Sequence, residues 1–220
     1  MVYVVEYLGP IFFHPLFYYF QHLFYRRTFD HSPMQTYLPA PSIPLNLSLE
    51  SSTDIPSLTM SMVVLHFLKR EFETLFIHRF STDTMPLAYI IRNSAHYWIL
   101  CGIIFGYIVN HPSYSIVQRT STQANLTLIL FAYFELSNLW THLTLRGLRT
   151  EGTRTRQIPR GYGFDWPFGG LSFPNYFFDF MVWVVVAGWS QCWGIVPFMG
   201  VAVFIMDRWA QQVLPFPLCL

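Results

Sequence analysis

The sequence predicts an all-α protein, a polytopic bundle of about six transmembrane helices in one domain that covers residues 1–220. Of its 220 residues, 53% are hydrophobic and 11% are charged, whereas soluble domains carry about 25% charged residues. Apolar runs of about 20 residues, the length that crosses a bilayer, recur along the chain. Five arginines lie between residues 146 and 160, between two apolar runs, and such clustering is typical of cytoplasmic loops in membrane proteins.

The first half of the chain predicts one apolar span, one loop and one mixed helix. Residues 3–25 form the first span, and Pro10 and Pro15 predict a kink or a break in it. Residues 30–58 are rich in Pro and Ser and predict an irregular loop. Residues 59–80 combine apolar and charged side chains, which favours a helix that leaves the membrane or one that faces a polar cavity.

The second half predicts further spans at residues 94–109, 124–145 and 176–209. The last stretch is long enough for two spans, with a break near Ser190 and Gln191 or at Pro197. The net charge of +1 argues against nucleic acid as a partner. The three cysteines fit neither a disulfide framework nor a zinc site, and there is no dense histidine array, so we expect no metal.

Ionisable residues inside the apolar helices are the candidates for chemistry, since each costs about 2.5–3.5 kcal/mol at the bilayer centre. Glu6 is the first, although an interfacial carboxylate near a helix end is an alternative interpretation. His66, Lys69 and Arg70 share one helix face by their spacing. Glu73 lies four residues after Lys69, so this face could instead be a solvated surface with an ordinary ion pair.

A second polar stripe begins at Asn138 and His142, which are four residues apart on one helix face. Arg146 and Arg149 continue the stripe into the basic segment 146–175. Such a line of donors suits an extended ligand with a phosphate at one end and a polar ring at the other. The alternatives are helix–helix hydrogen bonding for the stripe and a cytoplasmic loop for the basic segment.

Five segments carry a resemblance to a known family. They read VEYLGP from Val5, HFLKREFETLFIHRFSTDTMPL from His66, NLWTHLTLRGLR from Asn138, TRQIP from Thr155 and SFPNYFFD from Ser172. With these segments the chain resembles the very-long-chain trans-2-enoyl-CoA reductases, which belong to the steroid 5α-reductase family.

The resemblance implies NADPH-dependent reduction of a trans-2-enoyl-CoA to the saturated acyl-CoA, the last step of very-long-chain fatty-acid elongation. It also implies a multi-pass protein of the endoplasmic-reticulum membrane. The expected partners are a long-chain enoyl-CoA substrate, the lipid bilayer and the other enzymes of the elongation cycle.

The resemblance also assigns roles to residues. Tyr176 matches the tyrosine thought essential in the family, and Glu6 matches a glutamate near the substrate carbonyl. Lys69 and Arg70 match the basic pair of the enoyl reductases. The cofactor positions of the wider family fall on a longer set of residues: Asn138, His142, Arg149, Gly152, Arg156 and Asn175.

The sequence also departs from the family. His142 replaces an acidic residue of the steroid enzymes, and Asp179 stands where the family usually has Glu. The N-terminal region and the basic C-terminal stretch of the family are missing, which predicts a chain truncated at both ends with an incomplete cofactor pocket. Two alternatives remain open, a reductase of sterol or polyprenol double bonds and a truncated, non-catalytic paralogue that assembles with elongation enzymes.

Overall fold

The structure is a computed structural model, and almost all of the residues that it describes are helical, as the sequence predicts. No strand occurs among the described residues. The described residues are 2–25, 55–78, 87–111, 114, 119–148 and 173–213.

The N-terminal helix α1 runs over Val2–Tyr19, and a short helix α2 follows over Gln21–Phe24. Of the kink or break predicted at the prolines, the break is wrong, because α1 continues through both Pro10 and Pro15. Proline is tolerated inside apolar helices where neighbouring groups satisfy the backbone carbonyls that it leaves unpaired. The helix ends at Tyr19, and Phe20 separates it from α2.

Helix α3 covers Ile55–Phe72 and continues as a π-helical turn over Glu73–Ile77. It begins four residues earlier than the loop predicted for residues 30–58 would allow, so that loop boundary is wrong. The reason lies in the first turn, where Ile55 and Leu58 are buried in the core and therefore anchor the helix start.

Helix α4 starts as Leu87–Ala95 and continues without a stop as a π-helix over His96–Phe105 and an α-turn over Gly106–Val109. The long helix α5 covers Ser121–Leu148. Helix α4 contains the span predicted for residues 94–109, and α5 contains the span predicted for residues 124–145.

Helix α6 covers Pro174–Ser190 and ends at Gln191, whose φ of 50° places it in the left-handed region. A single 3-10 turn and helix α7, Val196–Val213, follow. The break predicted near Ser190 and Gln191 is therefore confirmed. Pro197 lies in the first turn of α7, where its missing N–H costs nothing.

The helices pack around one apolar core. Helix α1 packs against α3 and against the π-helical part of α4, while α5 packs along α6. The centre of the core is made by fully or almost fully buried side chains of four helices: Val63, Phe67, Phe105, Val182, Trp183 and Phe198.

In the described part of the chain, one helical stretch is long and apolar enough to cross a bilayer, the 19-residue segment Trp193–Gln211. The predicted count of about six spans is therefore not confirmed by helix length and composition. Charged residues are frequent in some of the other helices, as in α3, which carries Lys69, Arg70, Glu71 and Glu73.

Candidate active site

A cavity of about 220 Å³ lies among helices α1 and α3 to α7. Its apolar wall is mainly aromatic and is formed by Phe67, Trp183, Phe198, Ala202, Ile205, Met206 and Trp209. Its polar and tyrosine wall comes from five helices and includes Glu6, Tyr7, His66, Arg70, Thr74, His78, Asn93, His96, Tyr97, His142, Asn175, Tyr176 and Asp179.

Of the ten residues to which the resemblance assigns roles, five line this cavity, namely Glu6, Arg70, His142, Asn175 and Tyr176. Two others, Lys69 and Asn138, do not line it. Asn138 contacts Asn175, which does, and Lys69 contacts Asn138. Three predicted cofactor residues, Arg149, Gly152 and Arg156, fall outside the described residues. Most of the basic segment 146–175 also falls outside them.

Lys69 joins helix α3 to helix α5. Its Nζ atom lies 2.7 Å from Glu135 Oε2 and donates to Asn138 Oδ1 at 2.6 Å. The Nδ1 atom of His66 lies 2.7 Å from the other carboxylate oxygen of Glu135. A side chain bound in this way is held by the protein, so Lys69 is part of the support of the cavity wall.

Arg70 reaches the cavity and has three partners from three helices. Its Nη1 atom donates to Glu73 Oε2 and to His142 Nε2, both at 2.9 Å, and its Nη2 atom donates to the Tyr7 hydroxyl at 3.4 Å. The Lys69 ammonium also lies 3.3 Å from Glu73 Oε1. Glu73 is completely buried, so the solvated-surface interpretation of this helix face is wrong.

These contacts fix the protonation of two histidines. A guanidinium can only donate hydrogen bonds, so His142 Nε2 is an unprotonated acceptor. Its Nδ1 atom then carries the proton and donates to His78 Nε2, at a distance of 3.2 Å. His78 follows the last turn of α3, and burial, with the charges of Arg70 and Lys69, lowers its pKa to about 3. Both rings are therefore neutral near pH 7.

Glu73, His78 and His142 also form a group of the type that binds metal ions, since their ligand atoms lie within 4.8 Å of one another. The Nη1 atom of Arg70 is at hydrogen-bond distance from two of the three. Glu73 and His142 therefore already hold the Arg70 guanidinium, and His78 contacts His142.

Glu6 is buried and faces the same cavity from a position near the N-terminal end of α1. Asn93 Nδ2 donates to Glu6 Oε1 at 3.2 Å, and the guanidinium of Arg92 donates to Asn93 Oδ1 at 3.4 Å. The amide of Asn93 therefore fixes the orientation of the carboxyl group within the cavity.

Tyr176 lies in the first turn of α6, and Asn138 holds that turn in place. Asn138 Nδ2 donates to the backbone carbonyl of Asn175 at 2.9 Å. The ring of Tyr176 stacks on Phe173, with 5.5 Å between the ring centroids. Asn138 thus forms the helix–helix hydrogen bonds that the alternative interpretation of its stripe required.

Sequence reasoning missed several cavity residues. Tyr7, Asn93, His96 and Tyr97 were not candidates, although Asn93 and His96 are three residues apart and share a face of α4. The spacing rule that identified His66 and Arg70 could have found this pair. Tyr7 carries no such signal, because a tyrosine in an apolar helix is common.

Comparison with known proteins places the chain among described relatives. A family model described as 3-oxo-5-alpha-steroid 4-dehydrogenase matches residues 83–216. The chain is 34% identical over 211 residues to C646.07c of Schizosaccharomyces pombe, which is named an enoyl reductase. It is 32% identical over 212 residues to art-1 of Caenorhabditis elegans and 32% identical over 189 residues to a Dictyostelium discoideum protein, both named very-long-chain enoyl-CoA reductase.

These alignments cover most of this chain but not all of its relatives. They include 96% of the chain for the first two relatives and 84% for the third. The chain spans 63% of the length of the first two proteins and 52% of the length of the third. With the family model matching more than half of its residues, the chain belongs to the family described as 3-oxo-5-alpha-steroid 4-dehydrogenase, the steroid 5α-reductase family that its sequence segments predict.

Proposed function

We propose that the protein catalyses the NADPH-dependent reduction of a trans-2-enoyl-CoA to the saturated acyl-CoA, the last step of very-long-chain fatty-acid elongation. The observation that carries this proposal is the convergence of Glu6, Arg70 and Tyr176 on one largely apolar cavity. The relatives named very-long-chain enoyl-CoA reductase support the choice of substrate.

The reaction needs charge stabilisation at one oxygen atom. Hydride adds to the β-carbon, the electrons of the double bond move onto the thioester oxygen to give an enolate, and a proton then adds to the α-carbon. Donors placed near that oxygen before the reaction lower the barrier, because they stabilise a charge that exists only in the transition state and intermediate. The phenol of Tyr176 is the donor that we assign.

Arg70 and Glu6 orient the thioester in this proposal. Arg70 brings a positive charge to the cavity wall, and its bond to the buried Glu73 fixes the direction of the guanidinium. Glu6 lies on the same wall and is held by Asn93. The aromatic side chains opposite exclude water and accept the apolar atoms next to the thioester.

Lys69 acts as a positioning residue in this scheme. Its ammonium donates to the Asn138 oxygen, and the nitrogen of the same amide donates to the Asn175 carbonyl. Lys69 therefore orients the amide that ties α6 to α5 at the turn that carries Tyr176. The two adjacent basic residues thus have different roles, one at the cavity and one behind it.

The residues of the cavity fit the reacting end of a nicotinamide cofactor. When bound, NADPH would supply the hydride. The cavity volume of about 220 Å³ lies below the roughly 300–1,000 Å³ of pockets that hold whole ligands, so it suits a nicotinamide ring beside a thioester. His142 and Asn175 would contact the ring end, and we assign the phosphates to Arg149, Gly152 and Arg156.

We further propose that the protein is a multi-pass protein of the endoplasmic-reticulum membrane, where the other elongation enzymes would be its partners. Large apolar side chains are exposed along the outer faces of the helices, including Phe72 and Phe76 near the end of α3 and Ile129, Leu136 and Trp140 on α5. So many exposed large apolar side chains are rare on soluble monomers and are typical of proteins that contact lipid.

Substitution of Tyr176 by Phe tests the function. The purified 220-residue chain in lipid nanodiscs should oxidise NADPH in the presence of a long-chain trans-2-enoyl-CoA. Tyr176→Phe should lower kcat by about 10²–10³-fold, the usual cost of losing one donor to a developing oxyanion. Tyr25→Phe is the matched control, since the Tyr25 hydroxyl donates to the Tyr107 carbonyl outside the cavity.

The same assay separates the alternatives. Turnover of an enone or a polyprenal without turnover of enoyl-CoA would select the sterol or polyprenol reductase. A folded protein that reduces none of these compounds would be a non-catalytic paralogue. Full activity of Tyr176→Phe on enoyl-CoA would remove Tyr176 from the role proposed for it.

A further inference from the structure

We propose that Tyr7 is a second catalytic phenol, whose hydroxyl group donates a hydrogen bond to the thioester oxygen of the substrate. The inference rests on the proposed enoyl-CoA reduction and adds a substrate-binding residue to it. Three features of Tyr7 carry the argument: its place on the cavity wall, the fixed position of its ring and a hydroxyl proton that no described residue accepts.

The ring of Tyr7 is held firmly. The residue is 6% exposed and lines the cavity one position after Glu6. Its ring makes an edge contact with Tyr97 at a centroid distance of 5.1 Å and a tilted contact with Phe67 at 5.9 Å. Aromatic pairs at these distances restrict ring motion, so the hydroxyl group is fixed in place before a ligand binds.

Arg70 determines the role of the Tyr7 hydroxyl. The guanidinium donates to the hydroxyl oxygen at 3.4 Å, and its Cζ atom lies 5.6 Å from the ring centroid. Because arginine cannot accept a hydrogen bond, Tyr7 accepts this one and keeps its own proton for another partner. Among the described residues no side chain or carbonyl takes that proton, and the ring lies on the cavity wall.

The contact with Arg70 also makes Tyr7 a stronger donor. A hydroxyl that accepts a hydrogen bond from a cation is polarised, and its O–H bond then donates more strongly. An enolate oxygen is the ligand group that gains most from such a donor, since it carries the developing negative charge.

Tyr7 and Tyr176 reach the cavity from different helices. Tyr7 is on α1 and Tyr176 is on α6, and both line the same space. An oxyanion commonly receives hydrogen bonds from more than one donor in enzymes of acyl transfer. The two phenols would supply such a pair. Arg70, which contacts Tyr7, and Glu6 line the same cavity.

The test compares ligands with and without the oxygen atom. Tyr7→Phe should lower kcat for enoyl-CoA by about 10²-fold. It should also weaken the binding of a saturated acyl-CoA thioester by about fivefold, the contribution of one hydrogen bond. Binding of the corresponding S-alkyl-CoA thioether, which lacks the carbonyl oxygen, should not change. Tyr25→Phe, whose hydroxyl lies outside the cavity, should change none of these values.

A donor should restore part of the effect. Tyr7→His keeps an aromatic ring and replaces the O–H donor with an N–H donor. It should therefore recover part of the preference for thioester over thioether that Tyr7→Phe is expected to lose. Its behaviour also provides a second variant should Tyr7→Phe unfold at a lower temperature than the wild type.

Failure of this inference is distinguishable from failure of the proposed function. Equal weakening of thioester and thioether binding, or full kcat in Tyr7→Phe, would overturn the role of Tyr7 and leave the function intact. A wild-type chain that does not reduce enoyl-CoA would overturn the function, and an unchanged thioester preference in Tyr7→Phe would overturn the binding role as well.

Discussion

Lys69 and Arg70 are adjacent cations inside the protein, and two buried carboxylates offset their charge. Glu73 contacts both, with 2.9 Å to Arg70 Nη1 and 3.3 Å to Lys69 Nζ, and Glu135 contacts Lys69 at 2.7 Å. Two cations held so close repel each other, and a low local dielectric strengthens that repulsion. The carboxylates are therefore a condition for presenting Arg70 to the cavity.

We expect Glu73→Gln to destabilise the fold strongly. The substitution keeps the size of the side chain but leaves the Arg70 guanidinium without its carboxylate, and breaking a buried pair in this way costs about 3–5 kcal/mol of unfolding free energy. The thermal unfolding midpoint of the protein in nanodiscs measures the effect.

Asp207→Asn is the matched control for Glu73→Gln. Asp207 is exposed on α7, where it accepts a hydrogen bond from Gln211. Asp207 lies near the end of the apolar segment Trp193–Gln211, so its neutralisation should not lower the unfolding free energy by more than about 0.5 kcal/mol. Equal midpoint shifts for the two variants would mean that the buried Glu73 carboxylate stabilises the protein no more than the exposed Asp207 carboxylate does.

The residue contacts show what a single sequence can and cannot predict about this site. Helical spacing correctly placed His66 with Arg70, and Asn138 with His142, because residues three or four apart share a helix face. It could not identify Glu135 as the partner of His66, 69 positions away, or Asn93 as the partner of Glu6, 87 positions away. The spacing fixes a face but does not say which helix packs against it.

At the scale of helices, α1 and α4 approach closely at Gly9. Trp98 Nε1 donates to the Val5 carbonyl at 3.0 Å, and the indole ring lies over the glycine. A Cβ atom on Gly9 would lie 2.4 Å from the Trp98 ring, which is closer than real Cβ contacts allow. The glycine is therefore needed because of the approach of another helix.

We expect Gly9→Ala to destabilise the packing of α1 against α4 by about 1–3 kcal/mol, since overpacking moves side chains and backbone. Gly200→Ala is the control, because a Cβ atom at that helical position meets nothing within 4 Å. The control should stabilise the protein by about 0.5–1 kcal/mol, the helix propensity gain of alanine over glycine. Thermal unfolding of both variants measures this, and a gain in Gly9→Ala would contradict the packing argument.

The residue types near a helix end predict the boundary where the packing of neighbouring helices does not oppose them. The polar pair Ser190 and Gln191 interrupts an apolar run, and the chain turns there with a left-handed residue. Pro10 and Pro15 are strong breakers by themselves, yet α1 continues through both. Helix α1 packs against α3 and α4. This packing keeps α1 helical through the two prolines, and a rule based on neighbouring residues in the sequence cannot predict it.

The whole molecule places its polar groups inside and much of its apolar surface outside. The buried polar side chains include Glu6, His66, Glu73, Glu135 and Asn138, whereas large apolar side chains cover the outer faces of α3 and α5. Composition alone predicted such an arrangement, since a chain with 11% charged residues cannot cover its surface with charge. The predicted count of about six spans is not confirmed, since described helices such as α3 carry too many charged residues to pass as membrane spans by composition.

The proposed contact of the outer faces with lipid leads to a positional prediction. Leu136 is 64% exposed near the middle of α5, and Thr122 is exposed in the first turn of the same helix. In a bilayer, Leu136→Lys would place a charge near the hydrocarbon centre at a cost of about 2.5–3.5 kcal/mol, while Thr122→Lys would place it at the interface. We expect Leu136→Lys to lose most of the membrane-integrated protein that resists alkaline extraction and Thr122→Lys to match the wild type. On a water-exposed surface both substitutions would be tolerated within about 0.5 kcal/mol, so equal membrane fractions for the two variants would contradict bilayer contact along α5.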